Sequence, residues 1–292
     1  MNIQNMDVHE VWKVFTAVYS ETMKICREGE YKTKSGMVVK LPRKEEVLGA
    51  SKFYEKVPRC EMPKKVLKEK IDVVNMDCIE AAKELAEKGL NPILLNMANR
   101  YMPGGGALNG ARAQEECLFR QSNLCMSLYQ YRSDVAGLVE VPVAKEQYPM
   151  DRLLGGIYSG RVTFFRGGSS ENFGLREKPF ECAVVSVAAI DGPELDEEGK
   201  YTKTSREITI SKIRSILRIA RLHGHKTLVL GAFGCGAFHN PPEQMAALFD
   251  EVLHEEEFWG AFKLVRFAII DSAYRPTCNF SSFAKVFNGE KK

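Results

Sequence analysis

Nine consecutive residues near the middle of the chain, CAVVSVAAI at 182–190, carry no charge and are rich in β-branched side chains. A strand with one wet face alternates polar and apolar residues, so this run predicts a strand buried on both faces. Such a strand requires a sheet with layers on both sides. The flanking sequence supplies them. IDVVN (71–75) reads as a strand, Asp77 to Lys88 as a helix with Ile79, Ala82 and Leu85 inward, and NPILLNMA (91–98) as a second strand. A helix is expected from about Arg112 to Leu124, and GGIYSG with RVTFFRGG (155–168) predicts a hairpin about Gly160. Thr204 to His223 reads as a basic amphipathic helix, KTLVLGAF (226–233) as a strand, Pro241 to His254 as a helix and KLVRFAIID (263–271) as a closing strand. Strands alternating with helices predict an α/β fold, a mixed and mainly parallel sheet with helices on both faces.

The first quarter differs. Residues 8–28 predict an amphipathic helix with Val11, Val14, Phe15, Val18 and Ile25 on roughly one face and a stop at Gly29. Residues 30–66 are polar and interrupted by Pro42, Pro58 and Pro63. This part is too short and polar to bury a core alone. The expected organisation is an N-terminal helical extension over 1–69 and a single domain over 70–292.

Composition narrows the partners. The 41 basic and 38 acidic residues leave a formal charge of +3, so no global field draws in nucleic acid. Basic runs such as Lys64-Lys65 and Lys68 read as a solvated helix face. The eight cysteines form no Cys-x-x-Cys pair or zinc-finger cluster, and several sit in apolar runs, which favours a reducing compartment. The N-terminus lacks the pattern of a secretory leader, and nowhere do 18 apolar residues follow one another. A soluble intracellular, cytoplasmic protein is expected.

Chemistry concentrates in two loops, each leaving the C-terminal end of a predicted strand and entering a helix. The first, 99–111, reads NRYMPGGGALNGA, and the second, 231–240, reads GAFGCGAFHN. In parallel sheets ligands settle where such loops lie, and exposed amides at helix starts favour phosphate. Either loop alone reads as a tight turn; two at corresponding positions point to a phosphate site, with a diphosphate held between them. The second loop matches neither the dinucleotide fingerprint nor a P-loop. Seven residues after Gly104-Gly105-Gly106 come Gln114, Glu115 and Glu116. Acidic residues are common in a helix's first turn. Beside a glycine loop, however, paired carboxylates suit protonation or stabilisation of one reacting bond. Ser169-Ser170 and Cys235 show no evident histidine partner, and His239 reads as a loop residue.

The GGG…QEE spacing resembles the signature of poly(ADP-ribose) glycohydrolases of the bacterial or microbial type, built on a macrodomain. LLNMANRYMPGGG, with Asn96 and Asn99 at asparagine positions, is similar to that family's strand and loop. VLGAFGCGAFHNPPEQMAALF resembles its second phosphate loop, and VVNMDCIEAAKEL its first strand–helix junction. The resemblance spans roughly residues 70–271, and the N-terminal helical segment also looks like the microbial form. It implies Glu116 as catalytic acid/base and Glu115 as the neighbour that holds ribose hydroxyls. It further implies that Asn99 and Gln114 line the substrate, and that Gly104, Gly105 and Gly106 together with Gly234, Cys235, Gly236, Ala237 and Phe238 grip the diphosphate, Phe238 ordering the distal ribose. Asp77 stands where the family places an acidic group near adenine. Asn99 departs from the family pattern, in which a smaller residue such as serine is commoner.

The implied substrate is poly(ADP-ribose) or ADP-ribosylated protein and the product ADP-ribose, with no cofactor, metal, membrane or sequence-specific nucleic-acid partner. Cleaving a ribose–ribose acetal passes through an oxocarbenium-like state, so one carboxylic acid must protonate the leaving oxygen and then activate water. Removal of single ADP-ribose units, deacylation of an ADP-ribose ester, and non-catalytic ADP-ribose binding stand as alternatives. The paired glutamates argue against the last, since a binder needs the loops but not the acid.

Overall fold

The structure, a computed structural model, describes residues 7–143, 145–270 and 278–289. In chain order its elements begin α1 (Val8–Glu28), β1 (Glu30–Lys32), β2 (Val38–Lys40), α2 (Lys44–Gly49), β3 (Ser51–Tyr54), β4 (Lys70–Val74), α3 (Cys78–Glu87) and β5 (Pro92–Met97). There follow α4 (Gln114–Gln121), α5 (Leu124–Tyr129), α6 (Ser133–Ala136), β6 (Gly156–Arg166) and β7 (Leu175–Val187). The last are α7 (Lys203–Leu222), β8 (Thr227–Leu230), α8 (Pro242–Leu253), β9 (Leu264–Ala268) and α9 (Asn279–Phe287). They divide between two compact units.

The first unit holds the residues up to Phe53, Ala98–Met150 and Ile157–Val184. Its α1 begins with a reciprocal cap: the Asp7 carboxylate accepts from Glu10 N–H at 2.8 Å, and the Glu10 carboxylate accepts from Asp7 N–H at 3.2 Å. It ends, as expected, at Gly29. Of the predicted face, Val11, Phe15 and Ile25 are buried and Val14 and Val18 half-buried, and Tyr19, Thr22 and Cys26 are buried too. The Tyr19 hydroxyl meets that of Tyr129 at 2.6 Å.

Strands β3, β6 and β7 neighbour one another in that order. The expected hairpin at Gly160 is not formed: β6 runs through Gly160, and the turn to β7 lies at 167–174, where Gly167 N–H donates to Gly174 C=O at 2.8 Å. Gly160 marks close backbone approach instead, with its N–H on Ala50 C=O at 2.9 Å and only 3.0 Å between that oxygen and any added Cβ. The helix expected to reach Leu124 also stops early. Ser122 is extended and bridges to Phe164, and the Asn123 side chain accepts from Thr163 N–H at 2.8 Å, so the backbone turns before α5 starts.

The second unit comprises Tyr54–Met97, Asp151–Gly156 and the chain from Val185 onward. Its strands lie in the order β5-β8-β9-β4, all parallel, with Ile93 opposite Leu228, Leu228 opposite Val265 and Val265 opposite Ile71. Parallel neighbours require crossovers, which the helices supply. The mixed, mainly parallel α/β architecture is therefore as expected. The apolar run that motivated it forms the end of β7, and all of Cys182–Val187 is buried. Helix α9 had no counterpart in the sequence reading. Asn288 just beyond it accepts from Val73 N–H at 3.0 Å and donates to Val73 C=O at 2.9 Å, occupying backbone groups that edge strand β4 would leave free. Asp271, the end of the predicted closing strand, lies outside the described residues.

Candidate active site

The first glycine loop connects β5 to α4. Asn99 opens it as an Asx turn, its side-chain oxygen accepting from Tyr101 N–H at 2.8 Å and Met102 N–H at 3.1 Å. A 3-10 turn at Ala107–Asn109 follows. Each of the three glycines is required by a different neighbour. A Cβ on Gly104 would sit 2.5 Å from the Phe119 ring, on Gly105 2.5 Å from Glu116 Oε1, and on Gly106 2.7 Å from Ala111 Cβ. Gly104 and Gly105 also take φ of +81° and +53°, which disfavour side chains.

That closeness lets the loop amides hold both glutamates. Glu115 is fully engaged, Oε2 accepting from Asn99 N–H at 2.7 Å and Oε1 from Gly104 N–H at 3.1 Å. Glu116 is engaged on one side only. Its Oε1 accepts from Gly106 N–H at 2.9 Å, whereas Oε2 is buried and has no hydrogen-bond partner. Gly105 N–H donates to Met102 C=O at 3.0 Å, so none of the three glycine amides points free. Both carboxylates sit in the first turn of α4, where the helix dipole favours negative charge. They are 3% and 7% exposed, values that ordinary helix-start acids do not reach. The structure thus brings Asn99, Gly104, Gly105, Gly106, Glu115 and Glu116 together, with Gln114 half-buried on the same turn.

Two nearby residues carried no sequence signal. Burial, followed by the charge of Glu115, pushes the Tyr148 phenol well above its usual pKa, and its hydroxyl has no partner. Arg120, one turn after Glu116, is 1% exposed. It lies on the same helix face as Glu116.

The second loop belongs to the other unit and is built around Asn240. The Asn240 amide donates to Ile190 C=O at 2.8 Å, Gly234 C=O at 3.1 Å and Phe238 C=O at 3.3 Å, while its oxygen accepts from Tyr201 Oη at 2.9 Å. This draws 234–240 into a tight coil whose outer edge is Gly236 and Ala237, both exposed. Among the described residues the N–H groups of Gly236, Ala237 and Phe238 donate to no backbone acceptor. Consecutive free amides of this kind form an anion-binding concavity. Burial pushes the Cys235 thiol far up, so it is not a ready nucleophile. In the same unit Asp77 caps α3, its Oδ1 accepting from Ile79 N–H at 2.8 Å and Glu80 N–H at 3.3 Å. Among the described residues no three His, Cys, Asp or Glu side chains gather as a metal site.

A buried carboxylate with one oxygen clamped by a glycine loop and the other without a partner is a group that can hold or move a proton. Comparison with known proteins gives the family. Residues 19–167 match the model of the microbial-type PARG (poly(ADP-ribose) glycohydrolase) catalytic domain. Over 94% of its length the chain is 30% identical to the poly(ADP-ribose) glycohydrolase of Thermomonospora curvata, solved with the inhibitor ADP-HPD; it covers 99% of that chain with a TM-score of 0.75. The Deinococcus radiodurans poly(ADP-ribose) glycohydrolase, solved with ADP-ribose, is 25% identical over 86% of this chain and 99% of that one, with a TM-score of 0.65. No curated protein matches the sequence. The chain belongs to the microbial-type poly(ADP-ribose) glycohydrolase family, whose members are glycosidases.

Proposed function

We propose that this protein hydrolyses the ribose–ribose bonds of poly(ADP-ribose) and releases ADP-ribose, with Glu116 as the acid and base. The observation that supports it most is the asymmetry of that carboxyl group: Oε1 is fixed by Gly106 N–H while buried Oε2 has no partner. Oε2 carries the proton, delivers it to the leaving ribose oxygen as the oxocarbenium-like state develops, and then takes a proton from the attacking water. That reaction needs no metal or cofactor, because one carboxyl group performs both transfers.

Glu115 keeps the loop in shape through its two backbone bonds and is the neighbour that holds the ribose hydroxyls. Gly104 to Gly106 contribute close approach to the sugar, since their amides are already committed. The diphosphate is assigned to Gly234–Phe238, on the strength of the free amides there. Phe238 orders the distal ribose, Asp77 and Asn99 belong to the adenine and ribose surroundings, and Gln114 shapes the site.

In this reading residues 1–69 are an extension to a macrodomain over 70–292, with ADP-ribosylated proteins among the substrates. The setting is cytoplasmic and reducing, which eight free cysteines support; no helix among the described residues is long and apolar enough to cross a membrane. Incubating the purified protein with poly(ADP-ribose) and sizing the products tests the reading. Accumulation of ADP-ribose is expected. An unshortened polymer, or release of single units from mono-modified protein only, contradicts it.

A further inference from the structure

Among the described residues Arg120 is the largest fully buried side chain, and its charge has no carboxylate partner there. Burying an unpaired cation is costly, so its surroundings call for explanation. Its guanidinium lies over the Phe15 ring of α1, 4.7 Å from the centroid, and Nη2 donates to Ala111 C=O at 2.5 Å. Nε and Nη1 have no hydrogen-bond partner. The backbone C=O of Arg120 accepts from Thr22 Oγ1 of α1 at 2.8 Å.

Ala111 leads on to the proposed acid. Its N–H donates to Gly106 C=O at 3.1 Å, and Gly106 N–H donates to Glu116 Oε1 at 2.9 Å. Arg120 and Glu116 are i and i+4 neighbours on α4. A closed ring therefore runs from the Glu116 carboxylate through Gly106 and Ala111 to the Arg120 guanidinium and back along one helical turn. The bond from Arg120 to Ala111 C=O is charge-assisted, and charge-assisted bonds are the stronger kind.

We infer that Arg120 is a positioning residue for the hydrolysis, holding the Gly106–Ala111 segment so that Glu116 is clamped through Oε1 and presents Oε2, with Phe15 of the N-terminal helix as its cation–π support. The inference rests on the proposed role of Glu116. It gives the N-terminal segment a part in catalysis: Phe15 holds the cation from below and Thr22 holds its backbone.

Steady-state turnover of poly(ADP-ribose) by Arg120→Met and Arg120→Lys, normalised to the fraction that binds ADP-ribose, tests this. Misplacing a catalytic group by about 1 Å costs roughly 100-fold. Arg120→Met is therefore expected to lower kcat by roughly 100-fold with KM changed less than about threefold, and Arg120→Lys to recover part of the loss through its remaining charge. A structural role alone would lower thermal stability and active fraction but leave kcat per binding-competent molecule at the parent value, which would overturn the inference. Phe15→Leu keeps an apolar side chain and removes the ring, so it serves if Arg120→Met fails to fold. It should lower kcat by roughly threefold to thirtyfold, and parent kcat in that variant likewise overturns the inference. Activity in the parent protein is measured first: its absence defeats the proposed function, whereas active parent with unaffected variants defeats only the role of Arg120.

Discussion

The two glycine-rich loops look alike in sequence and are used in opposite ways. In the first, the amides of Asn99, Gly104 and Gly106 are spent on the carboxylates of Glu115 and Glu116. In the second, Asn240 satisfies the inward carbonyls, and the amides of Gly236, Ala237 and Phe238 have no backbone acceptor among the described residues. In the proposed function the first loop holds the acid and the second receives the anion. A run of glycines thus says that backbone comes close to something. What it comes close to depends on whether acceptors of its own chain are already there.

This division of labour separates rate from affinity, and two substitutions test the separation. The larger effect is expected from Gly105→Ala. The added methyl would meet Glu116 Oε1 at 2.5 Å at a φ of +53°, so the carboxylate must move. A fall in kcat of about 100-fold is expected, with ADP-ribose affinity measured by calorimetry close to the parent value. If affinity collapses and kcat holds, the first loop is a phosphate grip after all. The smaller effect belongs to Ala237→Pro, which deletes one free amide. Hydrogen bonds to charged groups contribute about 1.5–3 kcal/mol, so ADP-ribose should bind at least roughly tenfold more weakly, with kcat at saturation little altered. Parent-like affinity would remove the second loop from the diphosphate.

Much of the fold was legible in sequence because burial and periodicity coincide there. The parallel strands β4, β5, β8 and β9 and helices α1, α3, α7 and α8 follow apolar runs or one-sided stripes, and their ends carry caps such as Asp7 and Asp77. Gly160 misled for a physical reason: a glycine that admits a neighbouring carbonyl is indistinguishable, by residue type, from one that makes a turn. Short pieces held by distant partners escaped altogether, among them α9 with Asn288.

At the candidate site, the spacing of Gly104–Gly106 to Glu115 and Glu116 was readable, and the structure joins them. Residue type and spacing did not separate the two glutamates; only the family resemblance gave them different roles. Both are buried acids in one helical turn, and only the hydrogen bonds show that one has both oxygens engaged and the other a free one. Arg120 and Tyr148 were invisible because their significance lies in unpaired burial, a property that residue type alone does not reveal.

Glu116→Gln bears most directly on the central claim, since it keeps the shape and the Oε1-type acceptor for Gly106 but cannot carry the transferred proton. Release of ADP-ribose from poly(ADP-ribose) should be measured under single-turnover conditions for the parent and the variant, with ADP-ribose binding measured alongside. General acid–base catalysis contributes about 100- to 10,000-fold, so a loss of that order is predicted at unchanged affinity. Release by the variant at the parent rate would contradict the assignment of Glu116 as the acid and base.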